Sequence, residues 1–151
     1  MSTDTVPVPL SPLQTAFVGL VIVTLPLLAT PIPAGFPTPV SDDVDQRLDL
    51  NELLVHDPAA TYFLRVRGDS MRDAGIHDGA LVVVDASREA RSGDVVVAET
   101  PQGFTIKRLR RQGGHWSLEA ANPDWPTRRI APGDSLRLFG VVTACVLTRF
   151  G

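Results

Sequence analysis

Lysine is almost missing from this chain. Of fourteen basic side chains in 151 residues, thirteen are Arg and one, Lys107, is Lys. Cysteine is as scarce: Cys145 stands alone, which excludes an intramolecular disulfide framework. The three His, at 56, 77 and 115, are too scattered to build a metal cage with so few thiols, so neither a metal nor a cofactor is expected. Excess positive charge is also absent. A net charge of −3 and a pI near 5.5 argue against a general phosphate-binding surface, and no direct sequence-specific DNA binding is expected. Charge of either sign is missing between Asp4 and Asp42. Even there the apolar run Ala16–Leu28 is shorter than the roughly 17–25 residues of a spanning helix, and Gly19, Thr24 and Pro26 interrupt it. A signal peptide would need a basic leader, whereas the first basic side chain is Arg47. The expectation is a cytoplasmic protein with no membrane role.

What remains is an ordinary globular composition, 44% apolar and 21% charged, of a length that suits one domain of roughly 100–150 residues. Its charges and prolines are unevenly spread. Through Phe63 the balance is −6; beyond it, +3. Eight of thirteen prolines fall within the first 39 residues. This divides the chain into an apolar, Pro-rich arm over 1–40 and a body over 41–151. In the arm, prolines at 31, 33, 37 and 39 withhold backbone donors and favour extended geometry. Ala34-Gly35 is the small, unhindered pair between them. Such a segment reads either as a plain linker or as a strand offered to a protease cleft.

Ser41, followed by acids at 42, 43 and 45, reads as a helix N-cap, and Leu50–His56 as a further short turn. From Tyr62 the pattern becomes β. Strands are expected over Tyr62–Arg67, Leu81–Asp85, Asp94–Glu99, Phe104–Arg110, Trp116–Ala120 and Leu136–Leu147, separated by Gly-containing turns. The runs Val82–Val84 and Val95–Val97 suggest strands buried on both faces, and Gly140 inside the last strand suggests a bend or bulge. Cys145, in an apolar strand, reads as a small buried hydrophobe.

Two positions carry chemistry. Gly68-Asp-Ser-Met71 follows the first of these strands and puts Ser70 at a sharp turn; Lys107 lies between Ile106 and Leu109 in a later strand. A serine hydroxyl is a poor nucleophile without a base beside it. A lysine amine can be that base if burial lowers its pKa from about 10.4, because desolvation penalises the ammonium. Arg cannot, since its guanidinium stays protonated. Ser–Lys is one variant of the triad logic, and backbone N–H groups at Asp69 and Ser70 would supply an oxyanion hole. The plainer alternative is a turn serine and a solvated lysine. His77-Asp78 near Ser70 fits a surface turn better than a triad, and the run Lys107–Arg111 is split between strand faces with no stacking platform for nucleic acid.

Taken together, these residues match a family pattern. The chain resembles the UmuD-type members of the self-cleaving Ser–Lys proteins, which include LexA-like repressors. The resemblance runs from about Val23 onward and is carried by Ala-Gly-Phe-Pro at 34–37, Asp-Leu-Asn-Glu-Leu-Leu at 49–54, Ala-Ala-Thr-Tyr-Phe at 59–63, Gly-Asp-Ser-Met at 68–71, Thr-Ile-Lys-Arg-Leu at 105–109 and Phe-Gly-Val-Val at 139–142. It implies a mainly β, compact LexA/signal-peptidase-like fold of short coiled sheets with an extended N-terminal arm. It assigns Ser70 as nucleophile, Lys107 as general base and Ala34–Gly35 as the scissile bond, giving an active fragment 35–151. Ala34 departs from the best-known UmuD proteins, which have Cys before that glycine, but agrees with the Ala-Gly of LexA-like proteins.

The function implied is a serine endopeptidase, mainly autocatalytic, that serves as accessory subunit of an error-prone translesion DNA polymerase in the SOS response. The partners implied are a second copy in a homodimer, a UmuC-type Y-family polymerase subunit and a stimulating RecA–single-strand DNA filament; contact with a sliding clamp is left open. The 34 residues before the bond carry no winged-helix pattern, so a repressor role is not expected. Two alternatives stand beside this reading. One is a non-catalytic, dimeric polymerase-binding module. The other is a signal-peptidase-like processing enzyme, although such enzymes place a proline soon after Ser-Met, where this chain has Met71-Arg-Asp73.

Overall fold

The structure, a computed structural model, describes residues 22–149. The chain contacts separate it into two units, represented here by residues 22–54 and 55–149.

In the first unit, β1 (Leu25–Leu28) pairs antiparallel with β2 (Val44–Leu48), and α1 (Leu50–Leu54) follows. The helix expected after Ser41 is therefore a strand. Ser41 Oγ accepts from the N–H of Asp43 at 3.1 Å and donates to its carboxylate at 2.6 Å, a local turn of the kind serine forms as readily as a helix cap. The chain then pairs with β1 instead of coiling, and Arg47 ties the two strands by donating to the Thr24 hydroxyl at 3.0 Å and carbonyl at 2.7 Å. Between the strands, residues 31–40 are exposed and have no regular structure, with a bend at Ala34-Gly35-Phe36.

The second unit is built on a seven-stranded antiparallel sheet in the order β3-β4-β9-β5-β6-β7-β8. Its strands are β3 (Thr61–Arg65), β4 (Leu81–Asp85), β5 (Val95–Thr100), β6 (Gly103–Gln112), β7 (His115–Glu119), β8 (Arg128–Arg129) and β9 (Arg137–Val146). All six strands expected from Tyr62 onward are present, Leu81–Asp85 with the expected bounds and the other five with shifted ends; the two-residue β8 is an addition to this sheet. Val82, Val83, Val84 and Val96 are fully buried, and neighbouring residues of β5 point into different clusters, Val97 with Val66, Met71, Ile76, Val82 and Val84, but Val96 and Ala98 with Leu109, Leu118 and Val141. The β-branched runs thus fill both faces of the sheet, each buried Val contributing roughly 1.5–3 kcal/mol.

Strand β9 is the hinge of this arrangement. Its second half pairs with β4 and its first half with β5, and the register slips by one residue in each ladder. The slip against β5 leaves Phe139 unpaired, and its ring packs on Tyr62 (centroids 5.1 Å apart) and on Phe104 (6.0 Å). The glycine beside it is required by contact: a Cβ on Gly140 would lie 2.7 Å from Val84 Cγ1 and 2.8 Å from the Asp85 carbonyl oxygen. Asp85 itself is buried, and the Ser87 hydroxyl and N–H, donating to Oδ1 at 2.6 and 2.8 Å, hold its carboxyl below the usual carboxylate range.

One expectation for β9 fails. Cys145 is exposed, because it lies beyond the stretch of β9 that β5 covers.

Candidate active site

Strand β3 ends at Arg65, and Val66 still bonds to Ala80, donating to its carbonyl at 2.9 Å. The chain then turns at Gly68, whose φ of +89° suits glycine. The Gly68 N–H donates to Asp78 Oδ1 at 2.7 Å, so Asp78 braces the turn, and His77-Asp78-Gly79 is an exposed surface turn, as its sequence suggests. Met71 is 2% exposed and anchors the turn in the core, and a single 3-10 turn, Arg72–Ala74, follows and closes at Gly75 (φ +79°). Ser70 is held, half-buried, between the glycine pivot and the methionine anchor.

Strand β6 brings Lys107 to this turn. Lys107 Nζ donates to Ser70 Oγ at 2.9 Å, to Thr105 Oγ1 at 3.0 Å and to the Ile106 carbonyl at 3.0 Å. Its partial burial lowers the lysine pKa. The Trp125 ring, with its centroid 5.8 Å from Nζ, lies at the outer limit of a cation–π contact, which would favour the ammonium; desolvation is the larger influence. The three acceptors have a chemical consequence. An ammonium spends all three N–H bonds on them. A neutral amine has only two, and donating these to Thr105 and Ile106 leaves its lone pair facing the Ser70 hydroxyl. Losing a proton thus converts the contact from one that donates to the serine into one that can accept its proton.

The loop 121–125 grips the turn as well. Asn122 Nδ2 donates to the Asp69 carbonyl and Trp125 Nε1 to the Asp69 carboxylate, each at 3.0 Å, while the Asp73 N–H donates to the Ala121 carbonyl at 2.9 Å. No described residue accepts from the N–H of Asp69 or Ser70, the two donors expected to form an oxyanion hole.

The sequence reading thus found the pair that meets, Ser70 and Lys107, and missed Thr105, Asn122 and Trp125. Thr105 was legible as the same-face neighbour two residues before Lys107 in a strand. Asn122 and Trp125 were not, since an Asn-Pro dipeptide reads as an ordinary turn. The Arg run beyond Lys107 is spent locally: Arg108 donates to the Gly93 carbonyl (2.7 Å), Arg110 pairs with Glu119 (3.3 Å), and Arg111 lies 5.4 Å from the Trp116 ring centre. The Ala34–Gly35 peptide lies in the exposed bend of the first unit. Among the described residues no helix is long and apolar enough to cross a membrane.

Several known proteins resemble this chain over most of its length. Protein SamA of Salmonella typhimurium (strain LT2) is 45% identical over 123 residues, covering 82% of this chain and 85% of that protein. Protein ImpA of Escherichia coli is 43% identical over 118 residues, 78% of this chain and 80% of its own. The LexA repressor of Acidovorax sp. (strain JS42) is 43% identical over 129 residues; these are 85% of this chain but only 56% of the repressor. Residues 26–143 match the peptidase S24-like family as a whole, and the chain belongs to that family, among its UmuD-type, LexA-like members.

Proposed function

We propose that the chain is a self-cleaving serine peptidase in which Ser70 is the nucleophile, Lys107 the general base and Ala34–Gly35 the bond cut. The observation that carries this is the 2.9 Å contact between Lys107 Nζ and Ser70 Oγ, in a setting that lowers the lysine pKa. Neutral Lys107 takes the hydroxyl proton as Ser70 Oγ attacks the Ala34 carbonyl carbon. The N–H groups of Asp69 and Ser70 stabilise the oxyanion. The Ala34–Gly35 C–N bond breaks as Lys107 returns the proton to the Gly35 nitrogen. Water, activated by the same amine, then hydrolyses the ester, freeing Ser70 and leaving a fragment that begins at Gly35.

The exposed, unstructured stretch around Ala34-Gly35 supports this choice of bond, because a protease needs its substrate extended. N-terminal sequencing of the product tests it: a new terminus at Gly35 supports the assignment, and any other terminus contradicts it.

The UmuD-type kinship extends the proposal to biology. Cleavage converts an inactive homodimer into the accessory subunit of a UmuC-type translesion polymerase in the cytoplasm, under stimulation by a RecA–single-strand DNA filament. Co-purification of a UmuC-type subunit with the fragment from Gly35, and not with uncleaved Ser70→Ala, is the expected outcome. Equal capture of both would favour a binding module that needs no cleavage.

A further inference from the structure

The loop 121–125 has a use that the Ser–Lys pair does not explain. Asn122 is 4% exposed, and both ends of its amide are engaged: Oδ1 accepts from the Asp124 N–H at 3.0 Å, and Nδ2 donates to the Asp69 carbonyl at 3.0 Å. Its own carbonyl accepts from the Trp125 N–H at 3.1 Å. These bonds assign the orientation of the amide and lock the loop on itself before it touches the turn. The Asp69 carbonyl also accepts from the Arg72 N–H at 3.2 Å, and its carboxylate is held by the Trp125 indole. Asp69 is therefore gripped at two separate groups by one preformed loop.

Peptide planarity turns that grip into a statement about Ser70. The Asp69–Ser70 bond is trans, so the Ser70 N–H points opposite to the Asp69 carbonyl. With the carbonyl bound on its Asn122 side, the N–H faces away from the loop. An oxyanion-hole donor works because it is already aimed when charge develops and need not reorganise. We propose that Asn122 and Trp125 are positioning residues that hold the Asp69–Ser70 peptide so that the Ser70 N–H is aimed at the developing oxyanion. This rests on Ser70 being the nucleophile of the proposed self-cleavage.

The test uses the full chain and two neutral variants that add no charge near Lys107: Asn122→Leu, which removes both the donor to Asp69 and the acceptor of the Asp124 N–H, and Trp125→Phe, which removes only the indole donor. The first keeps the branched outline of the side chain with bulkier, apolar ends, and the second keeps an aromatic ring over Lys107. Self-cleavage is followed by intact mass from pH 6 to 10.5, at a temperature where melting curves show each protein fully folded. The expected result is a plateau rate reduced at least tenfold in Asn122→Leu and several-fold in Trp125→Phe, with the pH midpoint of wild type kept in both. Wild-type plateau rates in the folded variants would overturn the positioning role while leaving the Ser–Lys reading intact. A displaced midpoint with an unchanged plateau would also overturn it, since the loop would then act on Lys107. Failure of the wild type itself to cleave would bring down the Ser–Lys reading, and the positioning role with it.

Discussion

Ser70 and Lys107 are 37 residues apart in the chain and 2.9 Å apart in the fold, Ser70 on a turn anchored by Met71 and Lys107 in the middle of a ten-residue strand. Neither element alone would do this. The turn needs Gly68 to reverse and a buried methionine to stay put. The strand needs its neighbours β5 and β7 to hold a side chain that water would otherwise claim.

Cleavage should depend on pH in one direction only. In the proposed mechanism the active form of Lys107 is the amine, and burial lowers its pKa from the usual lysine value. The rate should rise with pH until the lowered pKa is passed and then level off below about 10.4, the value of an unperturbed lysine. A rate flat from pH 6 to 10 would contradict a lysine base.

The same burial should register in stability. Below the folded-state pKa, Lys107 is charged in both folded and unfolded chains, and only the folded chain bears the desolvation cost. Above the unfolded pKa both are neutral and the cost is gone, so wild-type stability falls as pH drops between the two. Lys107→Met, which keeps the stem without the charge, should therefore compare more favourably with wild type at pH 6 than at pH 10.5. Melting temperatures of the two proteins at both pH values are the measurement. An unchanged difference would show that Lys107 is not desolvated.

Thr105 gives Nζ one of its two acceptors besides Ser70. In Thr105→Val the shape is conserved and that acceptor is lost, so the amine has less to hold its lone pair on Ser70. One hydrogen bond of about 0.5–1.5 kcal/mol corresponds to a fall of about twofold to tenfold in cleavage rate. Thr105→Ser should restore most of it.

Gly140 is required by packing, not by backbone conformation. In Gly140→Ala the new methyl group meets Val84 and the Asp85 carbonyl at under 3 Å, so the β9–β4 ladder must shift. A loss of about 1–3 kcal/mol is expected, read as a lower denaturation midpoint in urea with an unchanged slope. A neutral outcome would mean that the bulge region yields more easily than the rest of the core.

Much of this fold was legible because its strands are chemically plain. The runs at 82–84 and 95–97 are β-branched and, apart from the half-buried Val95, buried, and glycine marks most of the turns between strands. Where the reading went astray, a local preference was overruled by pairing. Ser41 with its following acids has the chemistry of a helix cap, but β1 was available to pair with Val44–Leu48. Arg128-Arg129 carries no strand signal and becomes β8 only because β7 offers an edge. Cys145 has apolar neighbours in sequence yet lies where β9 runs past β5. The Ser–Lys pair was legible because Gly68-Asp-Ser-Met71 and Thr105-Ile-Lys-Arg-Leu109 carry a family resemblance and because, of the two basic side chains, only lysine can give up its proton. The supports from Asn122 and Trp125 were not, since they act on Asp69 from 53 and 56 residues away.

The most direct measurement is the intact mass of the purified chain after incubation at mildly alkaline pH, alongside Ser70→Ala and Lys107→Arg. Arg preserves the charge and cannot give up its proton, so it separates a base from a mere cation. Wild type should lose residues 1–34 while both variants keep their full mass. Cleavage of either variant at the wild-type rate would contradict the assignment of Ser70 as nucleophile or Lys107 as base.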